Sequence, residues 1–387
     1  MIELNRGFAL LKNDYVFQKI RGEMRNYEDV IDLSVGDVSH PLTPFVLESY
    51  ENAVAELGNE KTFRGYPPSC GYPFLRKAIK EYYSDCGADI DEDEIFVTDG
   101  AKGEIFKLFN LFSPDSTVAI FSPYYPAFYD GAVLSNKKVE IIDTERDFFK
   151  PSPKRLSKKS YIIVLCSPSN PCGVTLDEKD ISEWIGFAKE TGSVILFDSA
   201  YSSFIRDETP LTPYGVEDSK VCIVEISSFS KGYSFTGVRC GFVVIPSEIS
   251  IAGESLRDKY GRMNAAVNNG VNYAVQRAAQ AALSPQGRKE NRAVVDTYLE
   301  NAKMLCEVLQ KKGYTPIVSK NSPYLFLRCP NSFSSESFFK YLLEKARIAC
   351  TPGNDFGNSG KGYVRISCLK TKDEFSKAVN RFISLDF

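Results

Sequence analysis

Val221-Cys222-Ile223-Val224-Glu225-Ile226 runs directly into Ser227-Ser228-Phe229-Ser230-Lys231, and Gly237, Arg239 and Gly241 follow shortly after. A mostly apolar run of this length reads as a buried strand. Lys231 therefore stands just past a strand end, beside hydroxyls and close to an arginine. Burial would push the pKa of its amine down, because the charged form is the one that loses hydration, and would leave a nucleophile. Ser228, Ser230 and Arg239 together offer an anion site of the kind that holds a phosphate. A solvated surface lysine beside a turn is the competing reading, and this segment alone leaves both open.

Working outward, apolar strands alternate with helical stretches. Strands are expected over 117–122, 139–142, 161–166, 193–197, 221–226 and 239–245, and helices over 103–112, 125–134 and 178–189. Such alternation implies an α/β fold: a large domain whose mostly parallel central sheet is sandwiched by helices. Ligands in such sheets bind at the carboxyl ends of the strands. Those ends read Ser167-Pro168-Ser169-Asn170, Asp198-Ser199-Ala200-Tyr201 and Ser228-Phe229-Ser230-Lys231. Beyond about residue 250 the pattern changes. Long helices are expected over 265–283 and 288–312, then short strands over 324–328 and 362–367, and a last amphipathic helix over 371–383. This reads as a smaller α+β domain. The expected division is 45–262 for the large domain and 1–44 with 263–387 for the small one.

The strand ends carry a set of groups, each with a plainer reading beside it. Asn170 opens a turn signal, Asn170-Pro171-Cys172-Gly173, yet its amide could donate to an anionic oxygen. Asp198 could be a helix cap, or a buried carboxylate that needs a cation such as a protonated ring nitrogen. Tyr201 is placed to reach a ring hydroxyl. Gly100-Ala101-Lys102 opens a helix whose backbone amides could bind phosphate, or is an ordinary strand-to-helix turn. Tyr125 could stack on a flat ring or simply pack. Arg365, in Tyr363-Val364-Arg365-Ile366, needs an anion, either an internal carboxylate or a substrate's. Taken in order, these groups suit pyridoxal phosphate: a lysine for a Schiff base, a phosphate anchor, and an acid for the pyridine nitrogen.

On these residues the chain resembles the fold-type I pyridoxal-phosphate aminotransferases, and within them the LL-diaminopimelate aminotransferases. The similarity runs nearly the whole length. It is carried by Leu33-Ser34-Val35-Gly36-Asp37, Asp99-Gly100-Ala101-Lys102, Ser122-Pro123-Tyr124-Tyr125-Pro126-Ala127, Cys166-Ser167-Pro168-Ser169-Asn170-Pro171, Phe197-Asp198-Ser199-Ala200-Tyr201, Ser228-Phe229-Ser230-Lys231, Thr236-Gly237-Val238-Arg239, Asn269-Gly270 and Thr351-Pro352-Gly353. The resemblance implies a transaminase of class I and II that passes the α-amino group of an L-amino acid to a 2-oxo acid. Lys231 would carry the Schiff base, Asp198 would pair the pyridine nitrogen, Asn170 and Tyr201 would hold the ring oxygen, and Tyr125 would stack. Ala101, Lys102, Ser228, Ser230 and Arg239 would hold the phosphate. Tyr66 would reach the phosphate of a second subunit in a homodimer with shared sites. Arg365 would take the α-carboxylate, and Tyr15, Gly36, Lys102 and Asn269 would line the substrate pocket.

One segment departs from the family. After the matching tyrosine the family's loop usually carries an acidic residue that reads a distal ammonium, whereas here Tyr66-Pro67-Pro68-Ser69-Cys70-Gly71 puts Ser69 at that position. A neutral hydroxyl in its place forfeits a charge-assisted bond, on the order of 1.5–3 kcal/mol. An aminotransferase for a different amino acid, or another pyridoxal-phosphate enzyme such as a lyase or oxidase, stays open on the same residues. A non-enzymatic cofactor-binding module would be expected to have lost Lys231 or Arg365.

Composition narrows the field further. Of 387 residues 43% are hydrophobic and 25% charged, with a net charge of -3, so nothing favours nucleic acid or an anionic membrane as partner. No apolar run approaches the ~20 residues of a membrane span. Met1-Ile2-Glu3-Leu4-Asn5-Arg6 lacks the pattern of a secretory leader, and ten scattered cysteines with no Cys-x-x-Cys pair read as free thiols, so a cytoplasmic protein is expected. His40 is the sole histidine, which speaks against a metal site and against a histidine-based hydrolase.

Overall fold

The computed structural model describes residues 2–11, 15–330 and 332–385. Among these residues seven strands form the central sheet: β1 (Ile95–Thr98), β2 (Thr117–Ser122), β3 (Lys138–Asp143), β4 (Ile162–Cys166), β5 (Val194–Asp198), β6 (Ile223–Ser228) and β7 (Gly241–Val244). Their order is β1-β7-β6-β5-β4-β2-β3. β7 runs antiparallel to both its neighbours, and the pairs from β6 to β3 are parallel. The chain is thus an α/β protein with a mostly parallel sheet.

The helices among the described residues are α1 (Val16–Met24), α2 (Pro44–Leu57), α3 (Pro73–Asp85), α4 (Ala101–Phe109), α5 (Pro126–Leu134), α6 (Glu178–Thr191), α7 (Leu256–Val267), α8 (Tyr273–Leu283), α9 (Pro285–Lys311), α10 (Ser335–Ala346) and α11 (Lys372–Ile383), and those from α3 to α8 cover both faces of this sheet. Successive strand residues point to opposite faces, and the apolar contacts follow that period. Ile163, Leu165, Ile195, Phe197 and Ile223 pack with residues of α3, α6 and α8. Their neighbours Ile162, Val164, Val194, Leu196 and Val224 pack with residues of α4, α5 and α7. Strands covered on both sides are mostly apolar, which explains why β4 and β5 read as hydrophobic runs rather than as alternating ones, and β6 likewise apart from the buried Glu225 and its closing serines.

A second, four-stranded sheet is made of β8 (Ile317–Val318), β9 (Tyr324–Arg328), β10 (Thr351–Pro352) and β11 (Tyr363–Ser367), in the order β8-β9-β11-β10. Its cluster joins Leu325, Val364 and Ile366 to Leu305, Leu342, Phe375 and Phe382 of three helices, and to Val16, Ile20 and Leu33 from the start of the chain. Ile31–Asp32 pairs in parallel with Ile348–Ala349. Among the described residues no helix is long and apolar enough to cross a membrane.

Two expectations need correction. The helix expected over 265–283 is two helices: α7 stops at Val267, Asn268 is extended, and a new helix begins where the Asn272 side chain accepts from the amides of Ala274 and Val275. The Asn268-Asn269-Gly270 sequence is a turn signal that the apolar periodicity masks. The strand expected from 239 begins at Gly241, because Arg239 takes φ +70°, outside the extended region. Side chains that adopt such backbone angles cluster where function needs a particular direction.

Candidate active site

Parallel pairing sets Cys166 beside Asp198 and Asp198 beside Ile226, so β4 and β5 end at one level and β6 runs two residues further. A cleft of about 250 Å³ opens there. Asp198, Ser228, Tyr201 and Asn170 line it at or just past the strand ends, Ser230, Lys231 and Arg239 from the segment after β6, and Ala101 and Lys102 from the start of α4. Tyr125, Tyr15, Gly36 and Arg365 complete its wall.

One end of the cleft is built to hold an anion. The Ser228 hydroxyl donates to Ser230 Oγ at 3.0 Å, and Arg239 Nη1 donates to the same oxygen at 3.2 Å. Arg239 forms no ion pair with a carboxylate among the described residues. The first amides of α4 have no carbonyl partner within their helix and carry the positive end of its dipole.

The middle of the cleft holds two ionisable groups, Asp198 buried and Lys231 half-buried. Asp198 is buried and accepts from Ala200 N at 3.0 Å. Burial pushes its carboxyl up to about 6, and among the described residues no cation pairs with it. Lys231 donates to the Gly36 carbonyl. Desolvation lowers its amine to about 8, with nearby Asp37 opposing and the positive Arg365 and Arg239 assisting.

The other end is Arg365, 1% exposed. It donates to Asn170 Oδ1 at 2.7 Å, to the Ser34 carbonyl and to Thr351 Oγ1, and its guanidinium lies 4.9 Å from the Phe356 ring centre. No carboxylate among the described residues pairs with it, so the internal salt bridge entertained above is absent there, and its Nε has no hydrogen-bond partner. A buried guanidinium in that condition is ready for an anion from outside. Because arginine only donates, Asn170 must turn its oxygen to Arg365, which leaves the Asn170 amide NH2 as a donor. Lys102 Nζ bonds Tyr15 Oη at 3.0 Å beside this end.

Tyr66, Ser69 and Asn269 do not line the cleft of this chain. Tyr66 is 87% exposed, and Asn269 is also exposed. Ser69 is half-buried, its carbonyl accepting from Asn264 at 2.7 Å. Gly270 packs so close to the Pro67 and Pro68 carbonyls that a side chain there would lie 2.6 Å from Pro68 O. The 66–70 and 268–272 loops therefore form one outward rim.

Six further residues line the cleft that sequence reasoning did not pick out: Phe17, Val35, Ile105, Cys166, Ala200 and Tyr324. Ile105 could have been found, since it lies one helical turn beyond Ala101. Tyr324 could not, because a tyrosine opening an apolar strand reads as core.

The chain matches the family model for aminotransferase class I and II over residues 28–382. It is 35% identical to an LL-diaminopimelate aminotransferase of Lachnospira eligens and 37% identical to one of Agathobacter rectalis, in each case over 100% of both chains. Among solved structures it is similar to L,L-diaminopimelate aminotransferase from Chlamydomonas reinhardtii, with a TM-score of 0.92 and 29% identity over 98% of each chain. Aspartate aminotransferase from Thermotoga maritima gives a TM-score of 0.85 at 26% identity, again over 98% of each chain.

The buried acid makes a stability prediction. The Asp198 carboxyl rises from 3.8 to about 6 on folding, so the folded chain holds this proton more tightly than the unfolded one. Its contribution is fully present below about pH 4 and is lost as pH rises through 6. In cofactor-free protein, Asp198→Asn removes that loss. Urea titration at pH 7.5 should show the variant more stable by on the order of 2–3 kcal/mol, with the two proteins converging near pH 4. A constant gap from pH 4 to 8 would refute this account.

Proposed function

The chain belongs to the class I and II aminotransferases, and from that premise we propose which of its groups carry the reaction and what amino acid it serves. It is a pyridoxal-phosphate-dependent enzyme that exchanges an amino group between an amino acid and a 2-oxo acid. The residues of the cleft fit that cofactor. Arg239, Ser228 and Ser230 stand beside the free amides of a helix start, a buried carboxylate lacks a cation, and a buried guanidinium keeps an unpartnered Nε. When bound, pyridoxal phosphate supplies a carbon that joins amines and a cationic ring that draws electrons from the substrate Cα.

In our reading each group has one task. Ser228, Ser230, Arg239 and the amides of Ala101 and Lys102 hold the phosphate. Asp198 keeps the ring nitrogen protonated, since a charged carboxylate in this dry site is stable only beside a cation. The Asn170 amide and the Tyr201 hydroxyl would hold the ring oxygen, and Tyr125 would pack against the ring. Arg365 binds the α-carboxylate in place of the anion it lacks. Lys231, brought to about 8, is partly neutral near pH 7.5 and can take the proton from the substrate Cα and return it elsewhere. The convergence of Lys231, Asp198, Arg239 and Arg365 on one cleft is the observation that carries the mechanism.

The exposed rim supports a homodimer. Tyr66, Ser69 and Asn269 lie outside the lining of their own chain's cleft, and Tyr66 and the nearby Phe63 are 87% and 66% exposed. In a second copy's site they would supply the missing wall. The division into 45–262 and 1–44 with 263–387 remains a proposal. The packing of α8 in the cluster of α3 and α6 supports counting 273–283 with the larger part. A cytoplasmic home belongs to the same reading.

The substrate follows from charge. Lys102, Lys231, Arg239 and Arg365 line the cleft against Asp198 as the lone acid among the described lining residues. Ser69 adds no negative charge to the rim. We therefore assign the enzyme an L-amino acid without a distal ammonium, and to Lys102 the end of its side chain. The decisive experiment mixes cofactor-loaded enzyme with a panel of amino acids and follows the loss of cofactor absorbance. Efficient turnover of LL-diaminopimelate would overturn the substrate assignment and leave the mechanism standing.

Lys231→Ala should abolish transamination with the fold intact, and Tyr66→Phe should weaken it by loosening the partner's phosphate. Mixed and reassociated, the inactive Lys231→Ala and the impaired Tyr66→Phe proteins should exceed the activity of Tyr66→Phe alone, because some heterodimers carry one undamaged site. No recovery would argue against shared sites. Ser69→Glu should raise kcat/KM for ammonium-bearing substrates over neutral ones by roughly tenfold, the worth of one new charge-assisted bond. An unchanged ratio would remove Ser69 from substrate selection.

A further inference from the structure

We propose that Tyr324 is a positioning residue that acts on the cofactor's ring oxygen through Tyr201. Tyr324 opens β9 of the second sheet and is 1% exposed, yet it lines the cleft. Its hydroxyl lies 2.8 Å from that of Tyr201, which follows β5 of the central sheet, 123 residues away. The hydroxyl is held there from the other side as well. A Cβ on Gly36 would lie 2.1 Å from Tyr324 Oη, so this position admits only glycine while the hydroxyl keeps its place. The carbonyl of the same Gly36 accepts from Lys231. The Arg365 guanidinium rests 4.5 Å from the Tyr324 ring centre, a cation–π contact that fixes the ring.

The direction of the hydrogen bond follows from proton counting. Each phenol has one proton to donate. If Tyr201 gives its proton to the ring oxygen, Tyr324 must give its own to Tyr201. A hydroxyl that accepts while it donates is polarised and becomes a stronger donor. A buried hydroxyl is costly without a partner, which makes Tyr201 the reason for a tyrosine here where a phenylalanine would fill the same space. The titratable groups that face Tyr324 are Tyr201, Arg365, Tyr125, Cys166 and Cys368. Burial raises the Tyr324 phenol and Arg365 opposes that rise, so the hydroxyl keeps its proton in the working range. Arg365, Tyr324 and Tyr201 thus form a continuous chain from the proposed carboxylate end of the cleft to the ring.

The proposal rests on the reading of Tyr201 as the donor to the ring oxygen, and one experiment separates the two. The absorbance of the bound cofactor is titrated with pH in the wild type, Tyr201→Phe, Tyr324→Phe and the double variant. Hydrogen bonds to an anionic oxygen favour its unprotonated form, so losing one raises the midpoint. Tyr324→Phe should raise it by about half a pH unit, as expected for weakening one donor rather than deleting it. Tyr201→Phe should raise it more, and the double variant should match Tyr201→Phe, since Tyr324 has no route of its own. A shift in Tyr201→Phe with none in Tyr324→Phe defeats the proposal alone. Additive shifts in the double variant defeat it too, by giving Tyr324 an independent effect. An unshifted Tyr201→Phe defeats the reading of Tyr201 and the proposal together. Should Tyr324→Phe not accumulate as folded protein, Gly36→Ala displaces the same hydroxyl and is titrated likewise: a raised midpoint supports the proposal, and an unchanged one overturns it.

Discussion

Parallel hydrogen bonding among β4, β5 and β6 compels three segments far apart in sequence to end side by side. With Cys166, Asp198 and Ile226 aligned, the residues that follow each strand emerge into one space. The direction is as important as the alignment. The right-handed crossovers that parallel strands require send each helix back across a face of the sheet, and so leave the carboxyl edge open. Asn170, Asp198 with Tyr201, and Ser228 through Lys231 share a cleft because backbone amides pair in register, well before any of their side chains interact.

The cleft is maintained against its own electrostatics. Asp198 is desolvated without a cation, Lys231 is pulled down to about 8, and Arg365 is buried without an anion. Each condition opposes folding of the cofactor-free chain, and each is offset by apolar contacts on both faces of the sheet. A ligand bearing a positive ring nitrogen and a carboxylate would relieve two of them at once. Binding and stability are then linked, since whatever pairs these charges in the folded state alone also stabilises it.

The second sheet has a chemical as well as a supporting part. Arg365 and Tyr324 come from adjacent strands of that sheet, where β9 and β11 pair antiparallel, and both reach over to groups of the central sheet. Any shift between the two sheets would therefore change the Arg365–Asn170 and Tyr324–Tyr201 bonds together. On the outer side, the rim of Tyr66, Ser69 and Asn269 is fixed to the body through Asn264, whose amide holds the Ser69 carbonyl. That bond fixes where the loop's backbone stands.

Much of this was legible in the sequence, for local reasons. β4 and β5 announce themselves as apolar runs, and β6 as a run broken by Glu225, because both of their faces are covered, and Lys231, Asp198 and Asn170 stand out because polar groups at or after the ends of such runs need partners. Those groups already suited a cofactor, resemblance added Tyr66 and Asn269, and Ser69 showed as a departure from it. The break between α7 and α8 was signalled by Asn268-Asn269-Gly270 but obscured by apolar spacing on either side. Other features were decided by the tertiary structure alone. Whether Arg365 meets an internal carboxylate, which way the Asn170 amide faces, and that Tyr324 turns its hydroxyl to Tyr201 all depend on contacts spanning 123 to 195 residues. Sequence patterns report the period of a helix or strand and the burial of its faces. They carry no record of which distant side chain arrives at a given atom, because sheet register and helix packing set that arrival only when the whole chain has closed on itself.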